Sequence, residues 1–155
     1  MPTKPTILLV PGAFTTPIDS KKTCYDELLT HLHKAGYSTV VARLPSAAPA
    51  DPTNCSAAQD GAYVMDNYLL PLLDQGKDVI VFAHSFGATS LGGAEQPVAK
   101  AQRAAQGEHG GVLGLVYISF AFVSEGDSQL AYLGGQWPPF CKVDTVCGTM
   151  VFQPY

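Results

Sequence analysis

Ala83-His84-Ser85-Phe86-Gly87 is the stretch of this sequence with the clearest chemical content, since it fits the pattern small-x-Ser-x-Gly. A serine acts as a nucleophile from such a pattern when a cramped turn lifts its hydroxyl above a sheet, and the residues two before and two after must be small to avoid collision. The same turn aims the N–H of Phe86 toward the place where negative charge develops on an attacked carbonyl oxygen. Pro11-Gly12-Ala13-Phe14 offers the complement at the same edge of the sheet: the N–H of Ala13 is the candidate second donor, with Phe14 in reserve. The plainer readings are a helix cap with a turn glycine for the first segment and a simple turn for the second. Context favours the chemical reading, because strand, turn and helix fall in the order the motif requires.

The elements that must hold these residues are legible from their periodicity. Thr6 to Val10 is a short apolar run ended by Pro11-Gly12, as expected of a strand buried on both faces. Tyr25, Leu28, Leu29 and Leu32 share one helical face, with Asp19 or Ser20 as cap and Gly36 as stop. Tyr37 to Arg43 is β-branched and breaks at Leu44-Pro45, giving a second strand. Ala58, Ala62, Met65, Leu69 and Leu72 mark a second helix, bent at Pro71 because that residue has no N–H to donate, and closed by Gly76. Asp78 to Ala83 is the strongest strand, followed by the Ser85 turn and an Ala-rich helix to about Gln106. Gly111 to Phe120 supplies a fourth strand, after which the pattern turns irregular and Gly134 to Phe140 resembles a lid more than a sheet. This βαβαβαβ order predicts an α/β fold with a mainly parallel sheet and helices on both faces.

Composition narrows the function. The chain has 155 residues, 46% hydrophobic and 14% charged, which suits one domain with a real core. Nine basic residues are scattered among thirteen acidic ones for a net charge of -4, so nucleic acid is not an expected partner. The N-terminus leads into only four apolar residues, Ile7 to Val10, which reads as a strand and as neither signal peptide nor anchor; no membrane contact and a cytoplasmic location are expected. Cys24, Cys55, Cys141 and Cys147 form no C-x-x-C pair and have no nearby histidine, so they read as thiols, and neither a metal nor a cofactor is expected. A Cys141–Cys147 bridge is open only in an oxidising compartment. No G-x-G-x-x-G and no Gly-Lys-Ser/Thr supports a nucleotide-binding sheet.

Leu-Val-Pro-Gly-Ala-Phe at residues 9–14 together with Val-Phe-Ala-His-Ser-Phe-Gly-Ala at 81–88 resembles the α/β-hydrolase superfamily, especially fungal hydrolases similar to plant esterases and hydroxynitrile lyases. The resemblance extends over nearly the whole chain. It implies Ser85 as nucleophile, Ala13 with Phe86 as oxyanion donors, and a small ester, lactone or related carbonyl compound as substrate. It divides the chain into the N-terminal part of the hydrolase core at 1–122 and the start of a cap at 123–155. Trp137 and Phe140 of that cap are candidates to line the substrate pocket, against the preferred reading of ordinary core.

The resemblance also implies an acid and then a histidine after later strands. His31, His33 and His109 fall at the opposite edge from Ser85, about 30 Å away along a twenty-residue helix, and His84 leaves the turn in another direction and reads as packed. Glu125 and Asp127 follow the fourth strand at the right edge, yet with no histidine to orient they read as solvated carboxylates. The expectation is therefore a shortened serine hydrolase without triad acid and histidine; the alternative is a non-catalytic hydrolase-like protein that binds a ligand. An incomplete sheet predicts an open apolar edge beside the fourth strand and self-association through it.

Overall fold

Every residue of the first strand, Thr6–Val10 (β1), is buried, as a continuous apolar run between neighbouring strands requires. The computed structural model of the chain describes residues 4–13, 15, 23–47, 55–92, 97–118, 123, 126–139, 141–144 and 149–152, of which 143–144 and 149–152 are described for their backbone only. β1 is flanked by Thr39–Val41 (β2) and Asp78–His84 (β3), and Gly111–Ile118 (β4) adds to the far side of β3, giving the order β2-β1-β3-β4. All three pairings are parallel, as the alternation of strand and helix predicts. The pairing of Val10 with Ala83 sets the end of β1 beside the end of β3, and this register positions the candidate site.

Asp26–Lys34 forms the first helix (α1). The expected caps Asp19 and Ser20 lie outside the described residues; at the start of the helix the carboxylate of Asp26 accepts from both the amide and the hydroxyl of Thr23. Gly36, at φ +79°, ends it as expected, with its amide bonded to the His33 carbonyl.

The second helical region differs from expectation in both its bend and its buried face. It runs as Ala57–Val64 (α2), a π-helical turn over Met65–Leu69, and Leu70–Asp74 (α3). The irregularity thus lies one turn before Pro71, which sits in the first turn of α3, where its missing N–H leaves no helical bond unmade. The wide turn inserts a residue and rotates the apolar stripe. Ala58 and Ala62 are consequently exposed, while Asp60, Gly61, Val64, Met65, Leu69, Leu72 and Leu73 are buried. Asp60 is only 1% exposed and takes the amide of Ser46 at 3.0 Å together with the Ser46 hydroxyl, tying the turn Pro45–Ala47 after β2 to α2. Gly61 lets α2 lie against the next helix: a Cβ there would stand 2.0 Å from the Ser90 carbonyl oxygen.

The helix expected after Ser85 is two helices, Phe86–Leu91 (α4) and Lys100–Ala105 (α5). Gly92 and Pro97 break the alanine-rich pattern, and Ala99 bridges to Val112 before α5 begins. Lys100 pairs with Asp78, and Arg103 with Glu108 at 2.9 Å, anchoring α5 to the sheet and to its own following turn. The C-terminal segment holds a short helix, Gln129–Tyr132 (α6), and then an antiparallel hairpin of Cys141–Asp144 (β5) and Thr149–Phe152 (β6), which the reading of that region as irregular had missed. Gly134 to Pro139 has neither helix nor strand.

The core lies under the β1–β3 face against α2 and α3, with Leu8, Val10, Val64, Leu73, Val79 and Val81 at its centre. No helix among the described residues is long and apolar enough to cross a membrane.

Candidate active site

Ser85 is the one non-glycine described residue at positive φ, with φ 50° and ψ -120°. A side chain held there costs about 1–3 kcal/mol, so the surroundings must impose it. On one side the Ser85 amide donates to the Ile118 carbonyl at 2.9 Å, fastening the turn to the end of β4; on the other, the Ser85 carbonyl accepts from Ala88 at 3.0 Å and starts α4. The turn is also pressed against the end of β1. A Cβ on Gly87 would lie 2.5 Å from the carbonyl oxygen of Pro11 and 2.7 Å from that of Val10, which is the physical reason for a glycine two residues after the serine.

The Pro11-Gly12-Ala13 loop is brought directly to this turn. A Cβ on Gly12 would stand 3.2 Å from the Cβ of Ser85 and 2.8 Å from Nδ1 of His84. Ala13 is half-buried in the turn that follows β1, and its amide donates to no described residue. Phe86 opens α4, where an amide has no acceptor within its own helix.

Behind the loop stands a group of polar side chains that the sequence reading passed over. Tyr25, just before α1, is 5% exposed, and its hydroxyl accepts from the Gly12 amide at 3.0 Å. The same oxygen lies 2.7 Å from His84 Nδ1 and 2.9 Å from Thr15 Oγ1, and the Thr15 hydroxyl donates to the Gly12 carbonyl at 2.7 Å. Burial raises the Tyr25 pKa and lowers that of His84, so both are held neutral. In the sequence Tyr25 stands out only as one of an apolar helical face; the signal that points further is that a buried tyrosine hydroxyl needs a partner.

His84 is therefore packed, as expected, and edge-on to Tyr25 with ring centroids 5.7 Å apart. The remaining histidines stand at the start of the strands, away from Ser85. His33 Nε2 is 2.6 Å from the hydroxyl of Thr39, the first residue of β2; His31 shares α1 with it; and His109 lies against Gly76, ahead of β3. Asp127 is exposed, while Glu125, Phe14 and Phe140 lie outside the described residues. Trp137 is half-buried in coil, with no hydrogen bond or ring contact to the Ser85 turn among the described residues. Cys24 and Cys141 are free thiols, and Cys147 lies outside the described residues. No group of three His, Cys, Asp or Glu that could hold a metal occurs among the described residues. An apolar cavity of about 330 Å³, lined by Met65, Leu69, Val81, Leu91, Val98 and Val112 among others, is set apart from Ser85 and its loop.

A parallel sheet that carries a strained serine between strand and helix, faced by the loop after its first strand, defines an α/β-hydrolase arrangement. The comparisons agree, for the sequence profile of the Alpha/beta hydrolase family matches residues 7–144. The chain belongs to that family. It is similar to the probable hydrolase R7 of Phoma sp., at 32% identity over 134 residues, covering 86% of this chain and 50% of the relative. It is also similar to the alpha/beta hydrolase nvfD of Aspergillus novofumigatus, at 28% identity over 137 residues, covering 87% of this chain and 50% of the relative. The chain thus spans about half the length of the curated relatives it matches. No solved structure matches it.

Proposed function

We propose that the protein is the nucleophile-bearing part of a serine hydrolase acting on a small ester, lactone or related carbonyl compound. The observation that carries this reading is the left-handed Ser85 turn wedged against the loop at Gly12, since nothing in strand or helix formation needs a serine at φ 50° there. In the proposed reaction the Ser85 oxygen bonds to the carbonyl carbon, its proton passes to a base, and the carbonyl π pair moves onto oxygen. The amides of Ala13 and Phe86 hold that oxygen, with Phe14 in reserve. Collapse expels the alcohol, which takes up the proton, and water then frees the acyl group. No histidine of this chain is hydrogen-bonded to Ser85 among the described residues, and in this reading the base, with its acid, is one that these residues do not include. Residues from 123 onward begin a cap in which Trp137 and Phe140 line the substrate's path. No cofactor enters this chemistry.

Exposure to a fluorophosphonate probe tests the assignment. Slow, saturable labelling that disappears in Ser85→Ala is the expected result, slow because loss of the base from such a triad costs on the order of 10⁶ in turnover. Labelling that survives Ser85→Ala, or none in the native chain, overturns it. The engagement of His84 with Tyr25 favours a second reading, a hydrolase-like protein that binds its ligand without turnover. Ester turnover that depends on Ser85 removes that reading. The partners proposed are a small-molecule substrate or ligand and, through the open edge of β4, a second chain of the same kind; nucleic acid and membrane are not among them.

A further inference from the structure

Besides the Thr15 amide, which donates to the Gly12 carbonyl at 3.3 Å, Gly12, Thr15, Tyr25 and His84 are joined by four contacts made by side chains: Gly12 N to Tyr25 Oη, Tyr25 Oη to His84 Nδ1, Tyr25 Oη to Thr15 Oγ1, and Thr15 Oγ1 to the Gly12 carbonyl. Each contact needs one proton between its heavy atoms. The Gly12 amide, the tyrosine hydroxyl and the threonine hydroxyl supply three, and the fourth must be carried by His84 Nδ1. One arrangement satisfies all of them: Tyr25 oxygen accepts from Gly12 N–H and from His84 Nδ1–H, Tyr25 donates to Thr15, and Thr15 donates to the Gly12 carbonyl. The tyrosine thereby uses its donor and both of its acceptor sites, and residue Gly12 is gripped at both its N–H, in the Pro11–Gly12 peptide, and its C=O, in the Gly12–Ala13 peptide.

We propose that Tyr25 is a positioning residue for the loop that faces Ser85: it holds the Gly12 N–H itself and, through Thr15, the carbonyl of the Gly12–Ala13 peptide, so that the Ala13 N–H, trans to that carbonyl, is the one presented to the serine. This deepens the hydrolase reading and rests on it for the role of the loop, while the restraint itself rests on the four contacts. The geometry is tight enough for such a role. Gly12 lies against both His84 and Ser85, so a rotation of its peptide is felt at the serine directly. His84 acts through Tyr25 as the donor that fixes the phenol oxygen. A misplacement of about 1 Å in a catalytic group costs on the order of a hundredfold, and loss of one oxyanion donor costs about 10²- to 10³-fold.

The test pairs reactivity with an exchange measurement. Tyr25→Phe keeps the buried ring and loses only the hydroxyl. It is expected to lower the saturating rate of fluorophosphonate labelling about tenfold to a hundredfold, leave the half-saturating probe concentration unchanged, and speed hydrogen exchange at the Gly12 amide. Tyr63→Phe, at an exposed tyrosine on α2, is expected to change none of these. His84→Asn keeps an N–H donor near the place of Nδ1 and should retain most of the rate, whereas His84→Leu should match Tyr25→Phe. Native labelling and native Gly12 exchange in Tyr25→Phe overturn the proposal, as does His84→Asn failing as fully as His84→Leu. Should the native chain not label at all, the serine-hydrolase reading falls, and Gly12 exchange alone decides the restraint: faster in Tyr25→Phe upholds it, unchanged exchange removes it.

Discussion

β1 and β4 are both apolar runs rich in Leu, Ile and Val, Thr-Ile-Leu-Leu-Val against Gly-Val-Leu-Gly-Leu-Val-Tyr-Ile, and they end in opposite environments. β1 is buried throughout, with β2 on one side and β3 on the other. Among the described residues β3 is the one strand that β4 pairs with, beside the single bridge from Ala99 to Val112, and Leu113, Leu115, Val116 and Tyr117 remain 40% to 51% exposed. Apolar character makes a segment a strand, but the company it keeps decides whether that character is satisfied. The candidate site follows the same division. Its precision comes from the buried side, where β1 and β3 end together, and β4 contributes the Ile118 carbonyl that fastens the Ser85 amide.

If the contrast is real, truncation should hurt on one strand and pass almost unnoticed on the other. Leu8→Ala, fully buried in the core, is expected to cost about 3–4 kcal/mol in urea unfolding, while Leu115→Ala costs about 0.5 kcal/mol or less; equal losses would break the comparison. Gly87→Ala probes the junction between the two ends. Its Cβ would meet backbone oxygens that cannot swing aside, and a loss of about 2–3 kcal/mol with abolished probe labelling is expected. Asp60→Ala leaves the Ser46 amide without its acceptor and should cost about 1–3 kcal/mol. At the open edge the effect is on association rather than folding. The native chain should elute above monomer size at micromolar concentration, and Leu115→Lys should return it to monomer with stability changed by about 0.5 kcal/mol or less. A native chain that elutes as a stable monomer removes the proposed pairing.

The smallest effect is one of pH. Burial lowers the His84 pKa below 6.5, so the unfolded chain takes up a proton there before the folded chain does. Stability should be flat in this respect above pH 6.5 and fall as the pH drops through 6.5 toward the lower folded value. His84→Asn should lack that slope in denaturation curves taken across the range.

Much of this was legible in the residues. Thr6–Val10 and Asp78–Ala83 are apolar, sharply punctuated runs that read as strands, the first buried throughout and the second at alternate residues, and the small residues around Ser85 announce a crowded turn. The helical regions were read less well, for reasons that lie in hydrogen bonding rather than composition. A π-helical turn before Pro71 shifts the phase of a periodic pattern without altering the pattern's residues, so Ala58 and Ala62 looked inward and point outward. Gly92 and Pro97 divided what alanine content suggested was one helix. The β5–β6 hairpin was missed because its strands are four residues each in a stretch with weak alternation.

The sequence by itself determined where the chain must turn and which runs must be buried, because steric limits on φ and the aversion of apolar side chains to water act locally. It also determined that a serine would occupy the tightest of those turns. Only the tertiary structure decided that Tyr25, sixty residues before the serine's turn, would place its hydroxyl between the Gly12 peptide and His84. Parallel pairing of β1 with β3 brings those distant segments to one rim, and no local rule of propensity or periodicity carries information about which side chains meet there.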